Sequence, residues 1–150
     1  MLRKGLALTV VVLVASGTAA CGGGGGGGAG GGSGDLAQEA NKVEQLINRL
    51  KALPETATTD QEFIQQLAQI RDQVQTSISS VNDADAPDEL RSAQDKLASR
   101  LQGLRTQLGR VAGLANEDVE AAKRAIGSIL SIGEIEDAIQ QIRDASAASG

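Results

Sequence analysis

Histidine, tryptophan and tyrosine are missing from this 150-residue chain, and cysteine and phenylalanine occur once each. Without histidine, and with one thiol, the usual ligands of zinc, copper and haem sites are gone. A Ser-His-Asp triad cannot be assembled either, and no nucleophile-elbow motif is present. Phe63 is the only aromatic residue, so platforms for sugar rings, nucleobases or quaternary ammonium groups are lacking. Positive charge is scarce as well. From residue 35 onward there are 12 basic and 19 acidic residues, a net charge of −7. That balance argues against nucleic acid and against electrostatic attachment to anionic headgroups.

What is present begins with a graded N-terminus. Arg3 and Lys4 precede an apolar stretch from Leu6 to Val14, and small residues then lead to Cys21. That order is a secretion signal with its cleavage site, between Ala20 and Cys21, set just before a cysteine. The apolar run is shorter than the roughly 20 residues a spanning helix needs. Gly22–Gly34 follows, with 11 of its residues glycine. Such a segment offers nothing to bury and loses the most backbone entropy on ordering. It is expected to act as a tether with a span of about 20 Å. A phosphate-cradling loop is excluded by context, since no strand precedes the run and no Lys-Ser or Lys-Thr follows it.

The stretch Thr18-Ala19-Ala20-Cys21 resembles the lipobox of bacterial lipoproteins. Ala19, Ala20 and Cys21 fit the pattern, while Thr18 stands where leucine is commonest. The resemblance covers residues 1–21. It implies a signal peptide over 1–20, cleavage before Cys21, a diacylglycerol on that cysteine, and a chain held at the outer face of a bacterial membrane. The plain alternative is an ordinary secretory signal with an incidental cysteine. If Cys21 carries lipid, no thiol remains for a disulfide.

Residues 35–150 are one domain's worth of chain. Leu36, Ala40, Val43, Ile47 and Leu50 recur in alternating steps of four and three, the mark of one helical face. Asp35 is placed to cap that helix, and Pro54 to end it. A capping box from Thr59 to Glu62 opens a second helix with Phe63, Leu67, Ile70, Val74, Ile78 and Val81 on its face. Asn82 to Pro87 reads as a turn. A third helix of about 27 residues follows, weakened by Gly103, Gly109 and Gly113, and carries Leu90, Leu97, Leu101, Leu104, Leu108, Val111 and Ala115. Gly109 and Gly113, four apart, are also spaced to let another helix approach closely.

Farther on, Val119, Ala122, Ile126, Ile129 and Leu130 share one face, whereas Ile135, Ile139 and Ile142 point almost oppositely if one helix continues. A turn near Ser131–Gly133 resolves the conflict. Ser131 and Glu134 form a fresh capping box there, and Asn116 reads as the preceding start. The expected helices are about 117–130 and 132–146. The fold class is therefore all-α: an antiparallel bundle of three longer helices plus a short C-terminal pair. The second and third helices, with the Ala86-Pro87-Asp88-Glu89-Leu90 turn, also resemble hairpins in small uncharacterised lipoproteins of high-GC Gram-positive bacteria. That resemblance implies a helical domain outside the cytoplasmic membrane and supplies no activity.

Candidate sites are few. Asp83, Asp85, Asp88 and Glu89 gather carboxylates that suit calcium. A calcium loop starting at Asp83 would want glycine at Asp88 and glutamate at Gln94, so a solvated, helix-capping turn is the better reading. Glu117, Asp118 and Glu120, like Glu134, Glu136 and Asp137, read as first-turn charge. Ser77, Ser79, Ser80, Ser92 and Ser99 would need a lysine partner for catalysis, and Lys42, Lys51, Lys96 and Lys123 all read as surface residues. Arg91, Lys96, Arg100, Arg105 and Arg110 give the third helix a basic flank. The sequence thus points to a non-enzymatic, lipid-anchored interaction or scaffolding module with no metal and no cofactor. Its partners would be the membrane, through the lipid, and an envelope protein. A carrier of an apolar ligand between the helices is the alternative.

Overall fold

The computed structural model describes residues 32–148, and every described element is a helix: α1 (Gly32–Thr56), α2 (Asp60–Asp83), α3 (Asp88–Ala115), α4 (Val119–Gly127) and α5 (Ser131–Ala148). The predicted signal segment, Cys21 and the tether as far as residue 31 lie outside the described residues. The expected all-α bundle is what the chain forms. Helices α1, α2, α3 and α5 close a ring in which α1 packs on α2 and α5, and α3 packs on the same two. α5, at 18 residues, is a full fourth wall. α4 alone is short; it lies against α1, α3 and the edge of α2.

The ring closes because each member carries an aliphatic stripe. Leu36, Val43, Ile47 and Leu50 of α1, Phe63 and Val74 of α2, Leu97, Leu101, Leu104 and Leu108 of α3, and Ile135 and Ile142 of α5 are all fully buried. Each such side chain contributes about 1.5–3 kcal/mol. The cross-helix pairs run in opposite directions along their partners: Glu44 meets Arg143 while Lys51 meets Glu136. Neighbouring helices are thus antiparallel. α4 covers the end where α1 and α3 stop and α2 and α5 begin, and Ala122 and Ile126 are its buried residues.

Several helix boundaries differ from those expected. α1 begins at Gly32, so Asp35 falls in its first turn instead of capping it. Pro54 lies inside the last turn. Its missing N–H costs only the bond to Leu50, and the end is closed by Ala57 N–H on the Leu53 carbonyl (3.1 Å) and Thr56 Oγ1 on the Ala52 carbonyl (3.0 Å). The Thr59 box forms, with Glu62 N–H donating to Thr59 Oγ1 at 3.1 Å. Its return half reaches one residue farther back, where Thr58 N–H and Oγ1 both donate to Glu62 Oε2 at 2.9 and 2.7 Å.

Asp118, not Asn116, caps α4, its Oδ1 accepting from Ala121 N–H at 2.9 Å; Asn116 instead closes α3. Because α4 ends at Gly127, the helical phase stops before Leu130, which is 83% exposed and not on the core face. Ser131 does not serve as a cap: it is the first residue of α5, buried, and its hydroxyl donates to Gln107 Oε1 of α3 at 2.7 Å.

The α3 glycines do not mark a close helix approach. A Cβ added at Gly103, Gly109 or Gly113 would meet nothing within 4 Å. Glycine therefore carries only its helix penalty there. Gly103→Ala and Gly109→Ala are each expected to raise stability by about 0.5–1 kcal/mol in thermal or urea unfolding. A loss of stability would mean these positions contact something that the bundle itself does not supply.

Candidate functional site

The acidic turn between α2 and α3 is organised by a residue whose chemistry opposes calcium. Gln94, only 9% exposed, reaches back from α3, and its Nε2 donates to the carbonyls of Val81 (2.6 Å) and Ala84 (2.7 Å). A calcium loop would need an acceptor at this place; the chain provides a donor that occupies two carbonyls. Asp83, Asp88 and Glu89 lie at the rim of this turn with Asp85, and Asp88 pairs with Arg91 at 3.1 Å. Among the described residues no three carboxylates, cysteines or histidines gather as a ligand set.

Two of the acids at the start of α5 are drawn into the seams between helices. Glu134 pairs with Arg100 across the α3–α5 seam at 3.2 Å, and Glu136 with Lys51 across α1–α5 at 2.7 Å. These acids thus join helices, beyond the first-turn role expected of them. Farther along α1–α5, Arg143 forks onto both carboxylate oxygens of Glu44 and donates to Asn41 Oδ1 at 2.8 Å. The hydrogen bond from Arg143, with its charge, holds the Glu44 carboxyl below its ordinary range and raises the guanidinium. Thr58 does the same for Glu62, its hydroxyl most strongly and its backbone N–H next.

Lys42 pairs with Glu39 and Lys123 with Glu120. Lys123 departs from its expected place on the open surface. Its side chain is 19% exposed and its ammonium sits 5.9 Å from the centre of the Phe63 ring, a cation–π contact. The hydrogen bond from Lys123 to Glu120 raises the lysine. Lys42, Lys51 and Lys123 each pair with a glutamate, whereas Lys96 shares an open recess on α3 with Ser92 and Ser99, with no hydrogen bond between them.

The α1–α2 seam is different. Two adjoining grooves of about 730 and 490 Å³ share Arg49 and Gln73 and run along it. Their walls are mainly amides and hydroxyls, including Gln45, Asn48, Gln65, Gln69, Thr76 and Ser77, over a floor touched by Leu46 and Ile70. The Arg49 guanidinium rests on the Gln73 carbonyl oxygen, not on a carboxylate. A third recess of about 440 Å³, against α4, is lined by Pro54, Ile126, Ile129 and Ile132 together with Lys51, Lys123 and Arg124. Sequence reasoning misses the glutamines of α2; their recurrence at 65, 66, 69 and 73 is the signal that could have found them.

Comparison with known proteins finds no match: no family model, no curated protein and no solved structure resembles this chain.

Gln94→Ala should cost about 1–3 kcal/mol, because two turn carbonyls lose their donor. Gln94→Glu should be destabilised at pH 7 and closer to the parent at pH 4. A carboxyl facing carbonyls is favoured only when protonated, so its folded pKa is raised and its support is lost as pH rises. Chemical unfolding at the two pH values reads both variants. For the native chain the sign is opposite. Glu44 and Glu62 have folded pKa values below the ordinary 4.5, so they stabilise above that pH and their support is lost as pH falls beneath it. The thermal midpoint should drop in acid, and less steeply in a Glu44→Gln, Glu62→Gln variant.

Proposed function

We propose that this chain is a non-enzymatic, lipid-anchored helical module on the outer face of a bacterial membrane, acting on a protein partner through its surface. The observation that carries the anchoring half is the signal ending at Cys21, after Thr18, Ala19 and Ala20. No helix among the described residues is long and apolar enough to cross a membrane. With a charge of −7 after residue 34, headgroup electrostatics offers no hold, and two or more acyl chains on one cysteine would give a stable one.

The geometry suits the second half. The N-terminus of α1 lies at the end of the bundle shared by the α2–α3 turn, so a tether from Cys21 would leave there and present the α4 end outward. A short leash also raises the effective concentration of the domain for a neighbour on the same membrane. The grooves described above lie at the surface of the bundle, outside its core. That favours surface recognition over carriage of an apolar guest between the helices, where the largest aliphatic side chains are already buried against one another.

Replacing the thiol tests this reading. Cys21→Ser should shift the protein from the membrane fraction to the soluble extracytoplasmic fraction while leaving the bundle folded by circular dichroism. Unchanged membrane fractionation would refute lipid anchoring.

A further inference from the structure

Ion pairs close some seams of the bundle and not others, and the α2–α3 seam, like α1–α2, has none among the described residues, Gln94 holding its turn instead. Ion pairs lace both α5 seams: Arg143 with Glu44 and Lys51 with Glu136 against α1, and Arg100 with Glu134 against α3. The α1–α2 seam has no cross-helix ion pair among the described residues, only the Arg49–Gln73 contact. Along it Gln45, Asn48, Gln65 and Gln69 line the grooves with amides that bond to no other group among the described residues. The one carboxylate in the walls, Glu62, is already occupied, its oxygens accepting from Thr58 and Gln66. In a strongly acidic domain this strip holds a single carboxylate, Glu62, beside two cations, Lys42, paired with Glu39, and Arg49, whose guanidinium bonds to Gln73 and to no carboxylate.

We propose that the α1–α2 groove binds an extended peptide segment of a partner protein, chiefly through the segment's backbone, with Arg49 taking one carboxylate near its middle. The proposal rests on the interaction-module reading and names the partner chemistry it would use. Each glutamine or asparagine offers a donor and an acceptor side by side, matching the alternating N–H and C=O groups of an extended chain. The groove follows α1 from Lys42 to Thr56, about 21 Å of helix, which accommodates about six extended residues. Leu46 and Ile70 give small apolar seats between the polar walls. A glycan is the weaker fit, because the lone aromatic ring, Phe63, is fully buried and cannot stack on a sugar. Nucleic acid is opposed by the net charge.

The test uses the full chain, ¹⁵N-labelled in detergent micelles and titrated with three probes. These are a heptapeptide pool of serine, threonine, alanine and valine with aspartate fixed at the centre, the same pool with central lysine, and a chitin oligosaccharide. The aspartate pool should shift the side-chain amides of Gln45, Asn48, Gln65 and Gln69 saturably, leaving those of Gln102 and Gln141 in place. Gln65→Ala with Gln69→Ala should weaken binding about tenfold at an unchanged melting temperature. No shift, shifts spread over the whole surface, equal response to the lysine pool, or a response only to the sugar would each overturn the proposal. Photocrosslinkers at Gln69 and Gln141 in intact cells separate this from the broader reading. Protein captured only through Gln141 would leave the module reading standing and this groove refuted.

Discussion

The structure depends on one constraint, that four aliphatic stripes must face a common axis. With a single aromatic residue and no second cysteine to make a disulfide, nothing else in the domain supplies comparable energy. Each stripe is buried only while its two neighbours are in place. Ile47 of α1 and Leu101 of α3 show the dependence: both are fully buried, yet their helices pack chiefly on α2 and α5 and not on each other. Opening any one seam exposes stripes on both sides of it. Phe63, the largest core side chain, sits at the end covered by α4, where Lys123 lies over its ring. The short helix thus acts as a lid on the core.

Committing the apolar residues inward leaves polar chemistry for the exterior, and the chain distributes it unevenly. Charged forks and pairs fasten α5 to its neighbours on both sides. At the opposite hairpin, a single buried glutamine fixes the α2–α3 turn through two carbonyls. Between α1 and α2 the amides are left to solvent. Exposed ion pairs contribute little stability each, so the difference between seams bears more on register and recognition than on how firmly the bundle holds.

The helices were legible because burial follows the helical period. Leu36 to Leu50, Phe63 to Val81 and Leu90 to Val111 read as core faces and are core faces. The phase conflict between Ile126 and Ile135 correctly demanded a turn, but the turn falls at 128–130, and Ser131–Gly133 already belongs to α5. The same rule fails at Leu130, since it assumes an unbroken helix and α4 stops at Gly127. Capping boxes were less dependable. Thr59 caps as expected, but Ser131 gives its hydroxyl to Gln107, a partner 24 positions earlier that local spacing does not reveal. The Arg143–Glu44 fork, spanning 99 positions, was invisible for the same reason. The proposed lipobox and tether rest on their residues alone, since positions 1–31 lie outside the described residues.

A closed aliphatic bundle and the proposed attachment to a membrane through one modified cysteine are separable, and native mass spectrometry of the protein extracted from membranes addresses both at once. The expected species is a chain beginning at Cys21, heavier than its amino acids by a diacylglycerol, with no further small molecule retained. A chain beginning at Met1 with an unmodified thiol, or one carrying a bound acyl compound inside the bundle, would contradict it.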